Sequence, residues 1–224
     1  MGLNLSYRMI RYSIFFLLVS TTFICSQNIN SIFPNFDKSG MQSDVLYNPS
    51  SIGNINSMQE NSHDLYSFYQ VYKSIAFSDF QQRLPKLDHI KNIAMSELMS
   101  VNIPLALIYS EYDTFNENAK NNQVIFKNSN NQFERIESDL DIFDHHQIFV
   151  GAALKPIQRG SEVVFNLSNN LFFNISEKVV NSIEINFGDG LGFQFIELDQ
   201  NYYVSYENEG EKQISFKLTF DDGH

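Results

Sequence analysis

A chain of 224 residues suits one or two domains. Its 15 Lys+Arg against 26 Asp+Glu exclude the clustered positive charge that nucleic-acid binding requires. With 43% hydrophobic residues, including 21 Phe and 11 Tyr, the apolar area is large enough for a packed core, which excludes wholesale disorder.

At the N-terminus, Arg8 and Arg11 precede an apolar run from Ile14 to Ile24 that ends in small or polar residues. That is the pattern of a secretory signal peptide over residues 1–26, and the run is short for a membrane span. Cleavage is expected after Ser26, leaving a secreted or cell-surface protein with no stable membrane span. Two other readings stay open: a lipoprotein signal acylated at Cys25, although Ile24 is large for that position, and an uncleaved anchor. Loss of residues 1–26 removes two arginines, no acidic residue and the only cysteine, leaving 13 Lys+Arg against 26 Asp+Glu and no disulfide or thiol chemistry.

Residues 27–60 are rich in Asn, Ser and Gln, with Pro34, Pro49, Gly40 and Gly53, and read as an irregular segment. Residues 61–150 read as a mixed helical and β-rich region. Leu65, Phe68, Tyr69, Tyr72, Ile75 and Ala76 recur at helical spacing, with Ser62 or Asp64 placed to cap. A second helix is predicted from Leu87 to Met99, with Ile90, Ile93, Ala94 and Leu98 as its apolar stripe. Pro104 closes the helical part, and Leu105–Tyr109 reads as a strand, followed by further strands in "NQVIFKN" and "HQIFVGAAL".

From 151 to the end the alternation becomes regular. Val163, Phe165 and Leu167 share one face; so do Ile183, Ile185 and Phe187; so do Ile214, Phe216, Leu218 and Phe220. Period-2 runs separated by Gly, Asn and Asp turns predict a β-sandwich. Within it, "INFGDGLG" sets three glycines around Asp189. Glycine allows the positive φ of a tight turn, and an Asp there accepts hydrogen bonds from turn amides. A phosphate loop would lead into a helix N-terminus, whereas "FQFIEL" is a strand. Calcium is a weaker alternative, drawing on Asp189, Asp199, Asp221 and Asp222 without the Asp-x-Asp-x-Asp-Gly loop of a dedicated site.

"SIEINFGDGLG" followed by "VSYENEGEKQISFKLTFDDG" resembles the PKD domain, an immunoglobulin-like β-sandwich. Phe187, Gly188, Asp189 and Gly190 match its strand-ending turn; Tyr206, Gly210, Ile214, Phe216 and Leu218 match its second element. The family's Trp before the turn is absent, and Val204-Ser205 stands where it has a His before the tyrosine. The resemblance covers about a third of the chain, and the rest is similar in outline to exported multidomain proteins of Bacteroidetes. It implies a mainly β fold, with the PKD-like sandwich at 151–224 lacking its last strand, so that the strand from Lys212 to Phe220 exposes an edge. A truncated piece of a longer exported protein is the expectation that follows.

Chemistry-bearing residues are few. Asp144-His145-His146 matches a phosphoesterase signature without its context. With Asp139 and Asp141 it offers an opportunistic metal site or a solvated loop-to-strand junction, and adjacent histidines on a strand point to opposite faces. There is no Gly-x-Ser-x-Gly elbow and no His-Glu-x-x-His. Tyr202, Tyr203 and Phe193 or Phe195 offer an aromatic platform for sugars, or simply core and edge cover. The sequence therefore predicts no catalytic, cofactor-binding or metal residues. It predicts a non-catalytic exported module for adhesion, spacing, or contact with an extracellular protein or polysaccharide, within a larger secreted or surface protein. The alternatives are an accessory region of an exported hydrolase and a carbohydrate-binding module.

Overall fold

The computed structural model describes residues 29–47, 65–98, 102–136 and 139–221. The expected signal peptide with Cys25, the capping positions Ser62 and Asp64, Met99 and Asp222 lie outside the described residues. The fold is mainly β, and no helix among the described residues is long and apolar enough to cross a membrane.

Strand β1 (Asn102–Phe115) organises the chain. It pairs antiparallel with β4 (Phe143–Ala153) from Leu105↔Ala153 to Phe115↔Phe143. On its other side it pairs in parallel with β5 (Glu162–Asn166) and then with β6 (Phe172–Asn174). β5 in turn pairs antiparallel with β9 (Asn201–Ser205). The near-continuous apolar run of β1 follows from burial on both faces. Ile103, Leu105 and Leu107 face one core, whereas Ala106, Ile108 and Tyr112 face another. β1 runs further than Leu105–Tyr109 because its C-terminal half, although largely polar (SEYDTF), continues the β4 ladder as far as Phe115↔Phe143.

The even-numbered face carries two helices. In α2 (Leu65–Ser78) the buried residues Phe68, Val71, Tyr72, Ile75 and Ser78 form a single stripe. In α3 (Leu87–Leu98) Ile90 and Ala94 do the same one turn apart. The connection between them is tied down twice. The Tyr72 hydroxyl donates to the Pro85 carbonyl at 2.6 Å, and buried Asp79 pairs with Arg83, whose Nη1 donates to the Ile175 carbonyl at 2.6 Å.

The odd-numbered face meets a second sheet ordered β10-β7-β8, from β7 (Val180–Asn186), β8 (Phe193–Ile196) and β10 (Ser215–Phe220). Ile183, Ile185 and Phe187 are buried against Val163, Phe165 and Leu107, so the two sheets share one core. A Cβ at Gly151 would lie 2.5 Å from Cδ2 of its cross-strand neighbour Leu107 and 2.6 Å from Cδ2 of Phe216 in the second sheet, so there is no room for a side chain between the sheets there. Residues 150 and 151, where the sequence reading divides a mixed region from the sandwich, are neighbours within β4, and β1 from the mixed region shares a sheet with β5 and β9. Among the described residues β10 pairs with β7 alone, and no strand from the N-terminal part lies along its other edge.

The irregular segment contributes more than its composition suggests. After the short helix α1 (Ile29–Ile32), Phe33, Phe36 and Leu46 are buried with Phe143 and Ile142 in a third cluster, and Val45 and Leu46 bridge Asp79 and Asp113. Helix α4 (Glu117–Asn121), capped by Asn116 Oδ1 on the Ala119 amide at 3.1 Å, closes the same end beside the small β2 (Ile125–Lys127) and β3 (Phe133–Arg135) pair. Non-periodic apolar residues do not announce themselves as an element, but each still buries area worth about 1.5–3 kcal/mol when enclosed.

Leu107→Ala, at a fully buried side chain of the inter-sheet core, is expected to lower the unfolding free energy by about 2–5 kcal/mol. Leu191→Ala, at a side chain 76% exposed, is expected to change it by less than about 0.5 kcal/mol. Urea denaturation of the two variants checks the contrast.

Candidate functional site

The turn and the second element of the motif meet in one corner of the sandwich. β7 ends at Asn186, whose Oδ1 accepts from the Gly188 amide at 2.9 Å. Asp189 Oδ1 accepts from the Leu191 amide at 3.1 Å, closing an Asx turn. Gly188 has φ +73°, and a Cβ there would lie 2.7 Å from the Gln213 carbonyl oxygen, so both its dihedral and its surroundings require glycine. Gly190 has φ +90° with open space around it. Phe187 is buried between Phe165 and Tyr202.

Tyr206 closes the arrangement. Its amide donates to the Ser161 carbonyl at 2.9 Å and its hydroxyl to the Phe187 carbonyl at 2.6 Å. Burial, with a smaller contribution from the Asp189 charge, pushes its phenol up to about 12. Lys212 Nζ sits 5.1 Å from the ring centroid. Phe187, Gly188, Asp189 and Tyr206 are thus brought together, while Gly210 (φ +121°) shapes the loop that follows and Gly190 stays at the hairpin tip.

That loop walls a groove of about 1440 Å³ at the end of the gap between the sheets. Ile103, Phe165, Ile214 and Phe216 line its apolar part, and Lys155, Arg159, Glu207, Glu209 and Glu211 stand around it. The lining includes Tyr206 and Gly210 and contains no histidine or cysteine. Such a surface is equipped to bind an apolar or mixed segment, with hydroxyl, amide and opposite charges available for orientation.

The Asp144-His145-His146 run lies inside β4, and its histidines diverge. His145 Nδ1 pairs with Asp113, whereas His146 stacks on Tyr112 at 5.1 Å and its Nε2 lies 3.0 Å from Thr114 Oγ1. Asp113, fully buried, also accepts from the Ser43 amide at 2.9 Å and the Ser43 hydroxyl at 2.7 Å. The carboxylate stands between serine and histidine, so the histidine cannot take the serine's proton as in a hydrolase triad. The cluster instead stitches the N-terminal segment to β1 and β4, satisfying a charge that would otherwise be costly to bury. The sequence reading missed Asp113. The available signal was its parity with Ile103, Leu105 and Leu107 on the same strand, which puts a carboxylate at a buried position. No group of three His, Cys, Asp or Glu positioned for a metal occurs among the described residues, and Asp199 Oδ1 is engaged by the Asn169 amide at 2.9 Å.

The aromatic platform is divided. Tyr202 turns inward, stacked on Phe187, with its hydroxyl accepting from the Glu197 amide at 2.6 Å. Tyr203, 78% exposed, lies on the outer face of the first sheet, whereas Phe193 and Phe195 lie on the outer face of the second. Comparison with known protein families, with characterised proteins and with solved structures returns no match.

Gly190→Ala carries only left-handed backbone strain, about 1–2 kcal/mol. Gly188→Ala is expected to add a collision worth about 1–3 kcal/mol, so its melting transition falls well below that of Gly190→Ala. Because the Tyr206 phenol is raised to about 12 from an ordinary 10.0, the stability gained by keeping it protonated is full below pH 10 and is lost as pH rises through about 12. Tyr206→Phe is expected to flatten that alkaline decline and to cost about 1 kcal/mol at neutral pH, which denaturation at a series of pH values reads directly.

Proposed function

We propose that the chain is an exported, non-catalytic, PKD-type module of a larger secreted or surface protein, acting in adhesion, spacing, or contact with an extracellular protein or polysaccharide. What carries this reading is the Tyr206 hydroxyl donating to the Phe187 carbonyl at 2.6 Å, which joins the two halves of the motif. The glycine-rich turn spends its carboxylate and amides on its own geometry, leaving them to hold the hairpin rather than a ligand. The groove beside it and the exposed aromatics Tyr203, Phe193 and Phe195 supply contact surface.

The full chain, assayed against glycoside, ester and peptide substrates, is expected to show no turnover while being retained on an insoluble polysaccharide or an immobilised extracellular protein. Turnover by the chain itself, or retention on none of these, overturns the proposal. Loss of polysaccharide retention in Tyr203→Ala, a side chain with no core role, supports it and selects the sugar partner.

A further inference from the structure

The groove between the loops after β4 and after β9 carries charges of both signs that the fold leaves unused. Lys155 and Arg159 belong to one loop; Glu207, Glu209 and Glu211 belong to the other. Among the described residues none of these five enters an ion pair, whereas Lys38, Arg83, Arg135, Lys178 and Lys217 each hold an acidic partner elsewhere. Lys212, on the acidic loop, is already engaged over the Tyr206 ring.

The spacing of the two loops is set at their base. The Tyr206 amide donates to the Ser161 carbonyl at 2.9 Å, and Gly188 abuts the Gln213 carbonyl. The opposite charges therefore face the groove rather than one another. Main-chain groups are open there as well. From Ile157 to Gly160 and from Glu207 to Lys212, no backbone amide donates a hydrogen bond within the described residues. Between the loops, Ile214 and Phe216 offer half-buried apolar surface, and Ile157 is exposed on the rim. At about 1440 Å³ the groove exceeds the roughly 300–1,000 Å³ of small-molecule sites.

We propose that this groove docks an extended segment of another protein, apolar at alternate positions and carrying both a cation and a carboxylate between them. A neutral polysaccharide supplies hydroxyls but no charge, so it leaves both walls unanswered. A polypeptide supplies charges of both signs, apolar side chains and its own main-chain donors and acceptors. Successive side chains of an extended segment point in opposite directions. Apolar ones enter toward Ile214 and Phe216, while the charged ones reach the walls, a cation to the glutamates and a carboxylate to Lys155 and Arg159. The inference rests on the reading of the chain as a contact module and selects protein over polysaccharide at this site.

Fluorescence anisotropy of the labelled, capped octapeptide Lys-Val-Glu-Val-Lys-Val-Glu-Val with the full chain is expected to show saturable binding that weakens as salt rises. The single-sign octapeptides (Lys-Val)4 and (Glu-Val)4 each set like charges against one wall and are expected to bind about two- to tenfold more weakly. Arg159→Glu is expected to weaken the mixed octapeptide by a similar factor and to strengthen (Lys-Val)4. Glu209→Lys is expected to weaken the mixed octapeptide and to strengthen (Glu-Val)4. Both positions are exposed, so the melting transitions of the variants stay close to that of the parent. Lys127→Glu, on β2 beside the opposite end of β1, leaves all three affinities unchanged. Equal affinity for the three octapeptides, indifference to both reversals, displacement by a neutral glucan hexasaccharide, or a second copy of the chain occupying the groove overturns the inference. Polysaccharide retention by a chain that binds none of the octapeptides overturns it too and leaves the contact-module reading standing, whereas catalytic turnover tells against that reading itself.

Discussion

The structure depends on one strand having two interiors. β1 alternates Ile103, Leu105 and Leu107 into the inter-sheet core with Ala106, Ile108 and Tyr112 into the helical core, so each residue step changes the layer it serves. A slip of one residue would exchange the two faces along its whole length. The antiparallel ladder to β4, continuous from Leu105↔Ala153 to Phe115↔Phe143, holds that register, and the close approach at Gly151 leaves room for no side chain at the crossing with β10. Helices, first sheet and second sheet are therefore layers around β1.

The ends of this arrangement are held by polar ties. At one end, Asp113 gathers Ser43 and His145 and fixes the N-terminal segment to the sheet. At the other, Tyr206 bonds to Phe187 and Gly188 abuts Gln213, so the glycine turn positions the loop that walls the groove. In both places a buried or half-buried polar group is satisfied by residues far away in sequence, 70 positions for Ser43 and Asp113 and 19 for Phe187 and Tyr206. Long-range ties of this kind specify tertiary arrangement more than they add net stability, because their desolvation cost offsets much of their gain.

Surface character divides along the same lines. The β4 edge carries histidines and an acid, and Lys217 of β10 pairs with Glu184 of β7, which lies opposite Phe195 on the outer face, whereas β8 itself carries no charge. The groove lies at another place, between the loops after β4 and after β9.

Periodicity carried the sequence reading where local pattern and burial coincide. The alternation of Val163, Phe165 and Leu167 and of Ile183, Ile185 and Phe187, and the helical stripe from Phe68 to Ile75, are each visible because one face is buried and the other is not. The turn at Gly188–Gly190 was legible for a related reason, since its dihedrals exclude most other residues. What the sequence could not express is partnership. Nothing local in "SEYD" names Ser43 and His145 as partners of Asp113, and nothing in Phe33 or Phe36 announces burial without a period. Nor does "NYYVS" say that Tyr202 and Tyr203 part to opposite sides of a sheet whose neighbours were unknown. Residue type and spacing determined the β character, the alternating faces and the glycine turn, because those depend on steric rules acting over a few residues. Which strands adjoin, which carboxylate is enclosed and which edge stays open were decided by tertiary packing, because they depend on contacts between residues that the chain brings together only when it folds.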